Sequence, residues 1–307
     1  MKINIPLLIL EENKNFEEFS ARVLKLALNA QKQNAQILLL PEFLAFELLS
    51  SFKSSRKKAE ISTIAQNYGH KIMKLYSEVS RQTGVALAGG TLPLIENEQL
   101  YNVAGFYTPT GEIHLQKKLF LTPDELALGF SAGAELSTFT WQGLLMCQLI
   151  CLDVEIPSVS AALAPQSLDL ILVPSMVNDR CGNERVYGCS FARAIEHTCF
   201  VAGSGAGSSN GHYSGQNYFI HPQIPPFAGR GHSRIQAERA PALDEAQASI
   251  KNKTEVFEIN IEKKQLAIET YGAIRPAFIS AGAHSNFRVN SNSILRPEER
   301  THDRSLC

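Results

Sequence analysis

The segment LLMCQLICLDVEIPSV (144–159) decides the fold class, because an apolar, strand-like run ends abruptly at an acidic turn that contains a proline. The residues that follow predict a short helix over 156–167 and a second buried strand over 168–176. A helix over 183–198 and a strand over 199–207 continue the series. Strands that alternate with helices in this way are typical of an α/β protein with helices covering a sheet.

The first half of the chain has the same alternation. We expect strands over 5–10, 35–43 and 85–95, helices over 15–34 and 68–84, and two strands around a turn over 101–121. Two late strands are expected over 254–268. Residues 222–253 are rich in Pro, Gly, Arg and Ala without periodicity, and they predict a long loop or lid.

The composition excludes several classes of protein. The 307 residues are 44% hydrophobic and 19% charged, with a formal charge of −1, as in an ordinary globular protein. No basic stripe indicates a nucleic-acid partner, and the run KSSRKK (53–58) is expected to be a solvated helix entry. No apolar stretch is long enough for a membrane-spanning helix, and the first residues lack a signal-peptide cleavage site. We therefore expect a cytoplasmic protein without a membrane partner.

The cysteines do not indicate a disulfide framework or a metal site. The six are Cys147, Cys151, Cys181, Cys189, Cys199 and Cys307, and none forms a C-x-x-C pair. No cysteine and histidine spacing matches a zinc site, so no metal is expected. Most of these side chains should pack as small hydrophobic groups. His212 and His221 are expected to be structural or to lie at the edge of a substrate.

Three polar side chains stand near the ends of apolar strands, namely Glu42, one of the pair Lys117–Lys118, and Cys151. Together they could form a nucleophilic site that needs no metal or organic cofactor. The lysine would favour the thiolate and an oxyanion, the carboxylate would take the thiol proton, and the backbone N–H of Leu152 would be a second donor. Taken singly, each could instead be an inert buried thiol, a loop charge or a solvated edge.

Five segments, taken in order, resemble the nitrilase superfamily of carbon–nitrogen hydrolases over roughly residues 5–275. They are AQILLLPEF (35–43), YNVAGFYTPTGEIHLQKKLFLTPDE (101–125), LICLDVEIPSV (149–159), LDLILVPSM (168–176) and FARAIEH (191–197). The resemblance implies a four-layer α-β-β-α sandwich over residues 1–283, followed by a polar tail over 284–307. It also implies a homodimer or a higher homo-oligomer.

The same resemblance implies the catalytic residues. The glutamate of the first segment falls on Glu42, the lysine of the second on Lys118, and the cysteine of the third on Cys151. Adjacent strand residues point to opposite faces, so only one of Lys117 and Lys118 can reach the site, and the family spacing to Glu125 selects Lys118.

Three further residues are expected to act on the lysine or on the substrate. Glu125 resembles a second active-site glutamate, with a helix N-terminal charge as its alternative role. Leu152 would act through its backbone N–H. Met176, just past the strand over 168–176, would line the pocket, with ordinary core packing as its alternative.

The residues that follow Cys151 favour hydrolysis of a small amide, through a cysteine thioester, over hydrolysis of a nitrile. The resemblance associates Asp153, two positions after the cysteine, with amidase-like branches. A nitrilase or an N-carbamoyl amidohydrolase is the alternative within the family. A scaffold protein that has lost catalysis is the alternative from another class, because Phe120 and Gln216–Asn217 depart from the family pattern at positions expected on the pocket wall.

Overall fold

The computed structural model describes residues 1–222, 232–237, 254–271 and 288–290, and it contains two β-sheets with helices outside them. The strands are β1 (Lys2–Pro6), β2 (Leu8–Leu10), β3 (Ile37–Leu39), β4 (Ala86–Glu96), β5 (Gln99–Tyr107), β6 (Ile113–Lys117), β7 (Phe130–Ser131), β8 (Glu135–Trp141), β9 (Leu144–Gln148), β10 (Leu170–Ser175), β11 (Phe200–Ser208), β12 (Gly215–Ile220), β13 (His232–Ala237), β14 (Thr254–Glu258) and β15 (Arg288–Asn290). The helices are α1 (Phe16–Lys32), α2 (Lys57–Thr83), α3 (Pro123–Leu128), α4 (Pro157–Leu163), α5 (Arg180–His197) and α6 (Ile261–Tyr271).

The two sheets share one plan of connection. The first has the order β14-β1-β3-β4-β5-β6 with β7 beside β5, and the second has β13-β12-β11-β10-β9-β8-β15 with β2 beside β11. In each, three central strands run parallel, β1-β3-β4 in one and β9-β10-β11 in the other. Parallel neighbours need a crossover, which α1 and α2 supply in the first sheet and α4 and α5 in the second.

Side-chain alternation along the central strands creates the layers. In β3, Ile37 and Leu39 pack in the core between the sheets, whereas Leu38, and Leu40 just after the strand, pack in the core that includes α1 and α2. Strand β10 divides its side chains in the same way between the middle core and the core of α4 and α5. Because both faces of these strands are buried, they read as continuous apolar runs. The fold is the expected four-layer α-β-β-α sandwich.

The N-terminal segment joins the two sheets. The expected single strand over 5–10 is in fact β1 in the first sheet and β2 in the second, where Leu8 pairs with Ala206. Asn217 adds a side-chain bridge, since its Nδ2 donates to the Ile5 carbonyl at 3.3 Å and its Oδ1 accepts from the Gly205 N–H at 3.2 Å. Asn217 therefore holds the sheets together rather than facing a pocket.

Two expectations about the later part of the chain were wrong. The range 254–268 holds one strand, β14, and then helix α6, because Asn260 accepts from the Lys263 N–H at 2.9 Å at the start of the helix. The buried Lys264 ammonium anchors α6 by donating to the Leu168 carbonyl at 2.8 Å and to Asp169 at 2.7 Å. The range 222–253 contains strand β13, and its positions 223–231 and 238–253 lie outside the described residues.

The start of one helix differs from its prediction, and one predicted domain boundary lies outside the described residues. Helix α2 begins at Lys57, so the expected helix over 68–84 is only its second part. The predicted boundary between 1–283 and the tail 284–307 lies outside the described residues, apart from β15. Among the described helices, none combines the length and apolar character that a membrane crossing requires.

Candidate active site

Glu42 stands just past the end of β3, on a sharply turned backbone. The Pro41 carbonyl lies so close to Gly90 that a Cβ at that position would be 1.8 Å from the oxygen, and Gly90 has a φ of +64° that only glycine adopts freely. Phe43 has a φ of +54°, in the left-handed region, and lies in a turn that leads into the 3₁₀ segment Leu44–Leu48. The Glu42 side chain is consequently buried, at 1% exposure, instead of pointing into solvent.

Lys118 continues β6 and carries its ammonium into the interior. Its N–H donates to the Asn102 carbonyl at 2.8 Å, which keeps it in register with β5. Its Nζ lies 2.9 Å from Glu42 Oε1 and 2.8 Å from Glu125 Oε2, and the side chain is 2% exposed. Lys117 points the other way and pairs with Glu96 at 3.1 Å on the surface.

Asn102 joins the two glutamates, although the sequence did not single it out as a site residue. Its Nδ2 donates to Glu42 Oε1 at 2.8 Å and to Glu125 Oε1 at 2.9 Å. Glu125 Oε2 also accepts from the N–H and the hydroxyl of Thr122 at 3.0 and 3.1 Å, so Glu125 caps α3 as well as binding the lysine. The signal for Asn102 was a polar side chain within the apolar strand YNVAGFY.

Cys151 opens a short 3₁₀ turn, Cys151–Glu155, with a φ of +47° that is unusual for a residue other than glycine. Its Sγ lies 3.9 Å from the Met176 carbonyl, and the Met176 N–H donates to Glu42 Oε2 at 2.7 Å. The backbone of Met176 thus links the sulfur to the carboxylate. Cys147 is fully buried in the core beneath α4 and α5.

Asp153 connects the lysine segment with the cysteine turn. Its carboxylate accepts from the N–H groups of Leu119 at 3.1 Å, Phe120 at 2.8 Å and Ile150 at 3.3 Å. The family resemblance associated Asp153 with amidase-like branches and did not assign it a contact. The structure shows a buried carboxylate that fixes the residues just after Lys118 against the residue just before Cys151.

Burial and mutual charge set the ionisation of this cluster. Burial raises the pKa of Glu42, and the nearby Glu125 charge adds to the increase while Lys118 opposes it. Burial lowers the pKa of Lys118, but Glu42, Cys151 and Glu125 outweigh it and raise that pKa overall. The two neighbouring glutamates therefore favour the charged form of Lys118.

The surroundings of Cys151 favour the thiol over the thiolate. Burial raises its pKa, the Glu42 charge raises it further, and Lys118 only partly offsets both effects. This differs from the expected thiolate, because the neighbouring carboxylate repels a second negative charge. The proton must therefore leave the sulfur as the sulfur reacts. Burial also raises the pKa of Asp153, to about 7, against the opposing effects of Lys118 and the three N–H donors.

The cluster adjoins a cavity that is open to solvent. We call Glu42, Lys118, Glu125 and Met176 its floor, and Phe46, Lys57, His212 and Tyr213 its wall. Cys151 is not among the described residues that line the cavity; it is 5% exposed, and its Sγ lies 3.9 Å from the carbonyl of Met176, which does line it.

Some residues expected at the pocket lie elsewhere. Within the described part of the chain, Leu152, Phe120, Gln216 and Asn217 are not among the residues that line the cavity. Leu152 is half-buried in the turn that begins at Cys151, and Gln216 and Asn217 are buried within β12. The departures from the family pattern therefore do not alter the lining of this cavity.

The family model for carbon–nitrogen hydrolases matches residues 5–237 of the chain. The chain belongs to the carbon–nitrogen hydrolase family. The match includes the strands and turns that carry Glu42, Lys118 and Cys151.

Relatives of this carbon–nitrogen hydrolase include the probable hydrolase YhcX of Bacillus subtilis, 28% identical over 192 residues, which are 62% of this chain and 37% of that protein. An (R)-stereoselective amidase of a Pseudomonas species is 28% identical over 172 residues, which are 53% of this chain and 60% of that protein. The chain thus spans less than two thirds of both relatives.

A solved structure shares the fold. It is a variant of the amidase from Nesterenkonia sp. AN1, in which acrylamide has undergone Michael addition at the active-site cysteine. The TM-score is 0.68 at 21% identity, with 86% of this chain and 95% of that chain covered.

Proposed function

We propose that this carbon–nitrogen hydrolase cleaves a small amide through a cysteine thioester, with Glu42, Lys118 and Cys151 as its catalytic residues. One observation carries the proposal: Glu42 binds the Lys118 ammonium with one oxygen and, with the other, the backbone of the residue that contacts the Cys151 sulfur. An amidase among the relatives, and an amidase of the same fold whose active-site cysteine is modified by acrylamide, support it.

In the first step the Cys151 sulfur attacks the amide carbon. A sulfur–carbon bond forms as the thiol proton passes to Glu42, whose pKa is raised by burial, which makes its carboxylate a stronger proton acceptor. The carbonyl oxygen becomes an oxyanion, which the Lys118 ammonium and the Leu152 N–H stabilise. Proton transfer during attack matches a nucleophile whose resting form is a thiol.

In the second step Glu42 returns the proton to the leaving nitrogen, the carbon–nitrogen bond breaks, and ammonia departs. Water then attacks the thioester carbon while Glu42 accepts its proton. The sulfur–carbon bond breaks, the acid leaves, and Cys151 regains a proton from Glu42. Asn102 donates to both Glu42 and Glu125, and Glu125 accepts from Lys118. These two side chains therefore hold the Glu42 carboxylate and the Lys118 ammonium in place throughout the reaction.

A substrate panel tests the reaction. The protein is incubated with aliphatic amides, nitriles and N-carbamoyl compounds, and ammonia and carbon dioxide are measured. We expect ammonia without carbon dioxide, fastest from amides, and an acyl adduct on Cys151 by intact-mass spectrometry. Release of carbon dioxide would indicate an N-carbamoyl amidohydrolase, and a preference for nitriles would indicate a nitrilase.

A thiol-directed alkylating reagent tests the scaffold alternative. We expect fast labelling of Cys151 that is lost in Cys151→Ala. Labelling no faster than that of an unfolded peptide, together with no turnover on any panel member, would contradict the catalytic proposal.

The family resemblance also carries two proposals about organisation. We infer that one hydrolase domain extends over residues 1–283, and that the protein forms a homodimer or a higher homo-oligomer. Light scattering of the purified chain would measure the assembly, and a monomer at micromolar concentration would contradict it. Limited proteolysis would map the domain boundary.

A further inference from the structure

The short segment after β10 links the groups of the proposed reaction. Met176 donates its N–H to Glu42 Oε2 at 2.7 Å, and its carbonyl lies 3.9 Å from Cys151 Sγ. Strand β10 ends at Ser175, and its pairing with β11 ends at the same residue. The position of the Met176 backbone therefore depends on contacts made outside this ladder of the sheet.

One such contact is an isolated antiparallel bridge between Val177 and Ser214. The Ser214 N–H donates to the Val177 carbonyl at 2.9 Å. Ser214 follows Tyr213 of the cavity wall and stands just before β12 begins. The bridge thus joins the chain between β11 and β12 to the residue next to Met176.

Asn183 binds Ser214 through its side chain. It is the fourth residue of α5, and it is buried, at 5% exposure. Its Nδ2 donates to the Ser214 carbonyl at 3.2 Å and to the Ser214 hydroxyl at 2.9 Å, so both N–H groups of the amide are used. Loss of this amide would leave two acceptors without their donor, which is costly at a buried position.

The start of α5 also packs directly against Val177. Asp179 caps the helix by accepting from the Gly182 N–H at 2.7 Å. A Cβ at Gly182 would lie 3.0 Å from the Val177 Cβ, so the helix approaches this segment about as closely as glycine permits. Val177 is therefore held through its carbonyl by Ser214 and through its side chain by the first turn of α5.

We propose that Asn183 is a positioning residue for the reaction. It fixes the Met176 backbone through the bridge made by Ser214. That backbone in turn keeps the Glu42 carboxylate aligned with the Cys151 sulfur. The inference rests on the proposed function, because it takes these two groups as the base and the nucleophile. Within the described part of the chain, Asn183 does not line the cavity, so it acts through this backbone and not by touching substrate.

The role of Asn183 should be visible in the ionisation of Glu42. The charged or titratable groups that act on this carboxylate are Lys118, Glu125, Cys151 and Tyr213. Burial raises the pKa of Glu42, Lys118 lowers it and Glu125 raises it, and all of these effects remain when Asn183 is changed. The Met176 N–H favours the charged carboxylate, so a displaced Met176 backbone should raise the pKa of Glu42 further.

The pH dependence of Cys151 alkylation by iodoacetamide tests the inference without turnover. The sulfur displaces iodide as the thiol proton passes to Glu42, so the rate should fall as the pH falls through the pKa of Glu42. In Asn183→Ala we expect this acid limb to move to higher pH by about 0.5 unit or more. We expect kcat on an amide to fall about tenfold, while KM changes by less than about twofold. Ser214→Ala removes only the hydroxyl acceptor and should move the limb in the same direction by less.

Asn29→Ala is the matched control, because it removes the same side chain from a half-buried position of α1 that does not line the cavity. We expect it to leave the limb in place and to change kcat by less than about twofold. All rates are divided by the amount of Cys151 that can be labelled, so that a loss of folded protein does not imitate the effect. If Asn183→Ala does not fold, the limb of Ser214→Ala decides the question.

Two outcomes would overturn the inference, namely a limb that stays in place in both variants and a shift of equal size in Asn29→Ala. Labelling also separates the inference from the proposed reaction. If the limb moves in Asn183→Ala while no amide is hydrolysed, the proposed function fails and the positioning role of Asn183 stands. If amides are hydrolysed while the limb stays in place, only the inference fails.

Discussion

The floor and the wall of one cavity each contain a lysine, and the two lysines have opposite surroundings. Lys118 on the floor is almost fully buried between Glu42 and Glu125, within 3 Å of both. Lys57 on the wall is half-buried, and its ammonium contacts the Tyr213 hydroxyl and the rings of Phe46 and Tyr213. Among the described residues, the floor lysine is paired with carboxylates and the wall lysine is not.

From this difference we expect the paired lysine to serve the reaction and the unpaired lysine to serve the choice of substrate. A cation that is already paired with carboxylates is fixed in place and can stabilise charge that develops during the reaction. A cation that is not paired with carboxylates can instead donate to an acceptor on a part of the ligand that does not react. Changes on the floor should therefore lower the rate for every substrate, whereas changes on the wall should alter the preference among substrates.

The largest expected effect comes from the sulfur itself. Replacing Cys151 by Ala should lower kcat by about 10⁴-fold or more on every amide substrate, because no other group can form the covalent bond. Cys151→Ser should be nearly as inactive, because a hydroxyl is harder to deprotonate than a thiol. Ammonia release measures both. Cys147→Ala is the control and should keep most of the activity, since Cys147 lies in the core.

Glu42→Gln should have the next largest effect. The variant keeps the side-chain shape but loses the proton acceptor, so kcat should fall about 10²- to 10⁴-fold, equally for every amide substrate. Stopped-flow alkylation of Cys151 should slow in parallel with turnover. A loss confined to some of the amides would break the distinction between floor and wall.

The pH dependence of kcat/KM should identify Glu42 as the base. The base is active when ionised, so activity should be lost as the pH falls through the raised pKa of Glu42, above the ordinary value of 4.5. Glu125→Gln removes one charge that raises this pKa, so the acid limb should move to lower pH while kcat falls about tenfold. An acid limb that stays fixed in Glu125→Gln would contradict this assignment of the base.

Asp153 should affect stability more than chemistry. The folded protein keeps the Asp153 proton between the ordinary value of 3.8 and about 7, where the unfolded chain has released it. The free energy of unfolding should therefore fall as the pH rises through this range, by a few kcal/mol at most, since one pKa unit is about 1.4 kcal/mol. Chemical denaturation at several pH values measures this slope, which Asp153→Asn should lose. The acid limb of kcat/KM should persist in that variant.

The smallest effect is expected on the wall. Tyr213→Phe removes the acceptor of the Lys57 hydrogen bond and leaves the cation in place. We expect KM for amides with a polar acyl chain to rise about two- to fivefold, with kcat and the values for acetamide unchanged, as for loss of one neutral hydrogen-bonding group. Steady-state kinetics on both kinds of amide check it. A large fall in kcat would show that this tyrosine belongs functionally to the floor.

The sequence predicted the central strands of the fold well because their pattern is simple. Strands β3 and β10 are buried on both faces, so they appear as unbroken apolar runs that end at proline. Helix α6 was predicted wrongly as a strand, because TEVFEINIEKKQLAI alternates apolar and polar residues at its start. The signal that outweighed this alternation was Asn260 as a helix cap, followed by the acidic Glu262 in the first turn.

The cluster of side chains was less predictable than the strands. Glu42, Lys118 and Glu125 could be named from the family resemblance, but Asn102 and Asp153 act through partners that are distant in the chain. The thiol form of Cys151 also depends on the balance of burial and two opposite charges, which requires coordinates. The sequence predicted Lys57 only as part of a solvated basic run. Its contacts with the rings of Phe46 and Tyr213 could not be predicted, because Tyr213 is distant in the chain.

The crossing from β1 to β2 constrains the order in which the molecule can fold. Leu8 reaches its partner strand only at Ala206, and the Asn217 bridge to Ile5 spans 212 positions. Such pairings are slow to form, since a large loop must close before any contact repays the lost entropy. During synthesis, the first residues must therefore wait for β11 and β12 to leave the ribosome. The seam between the sheets closes late, after each βαβ half has had time to assemble on its own.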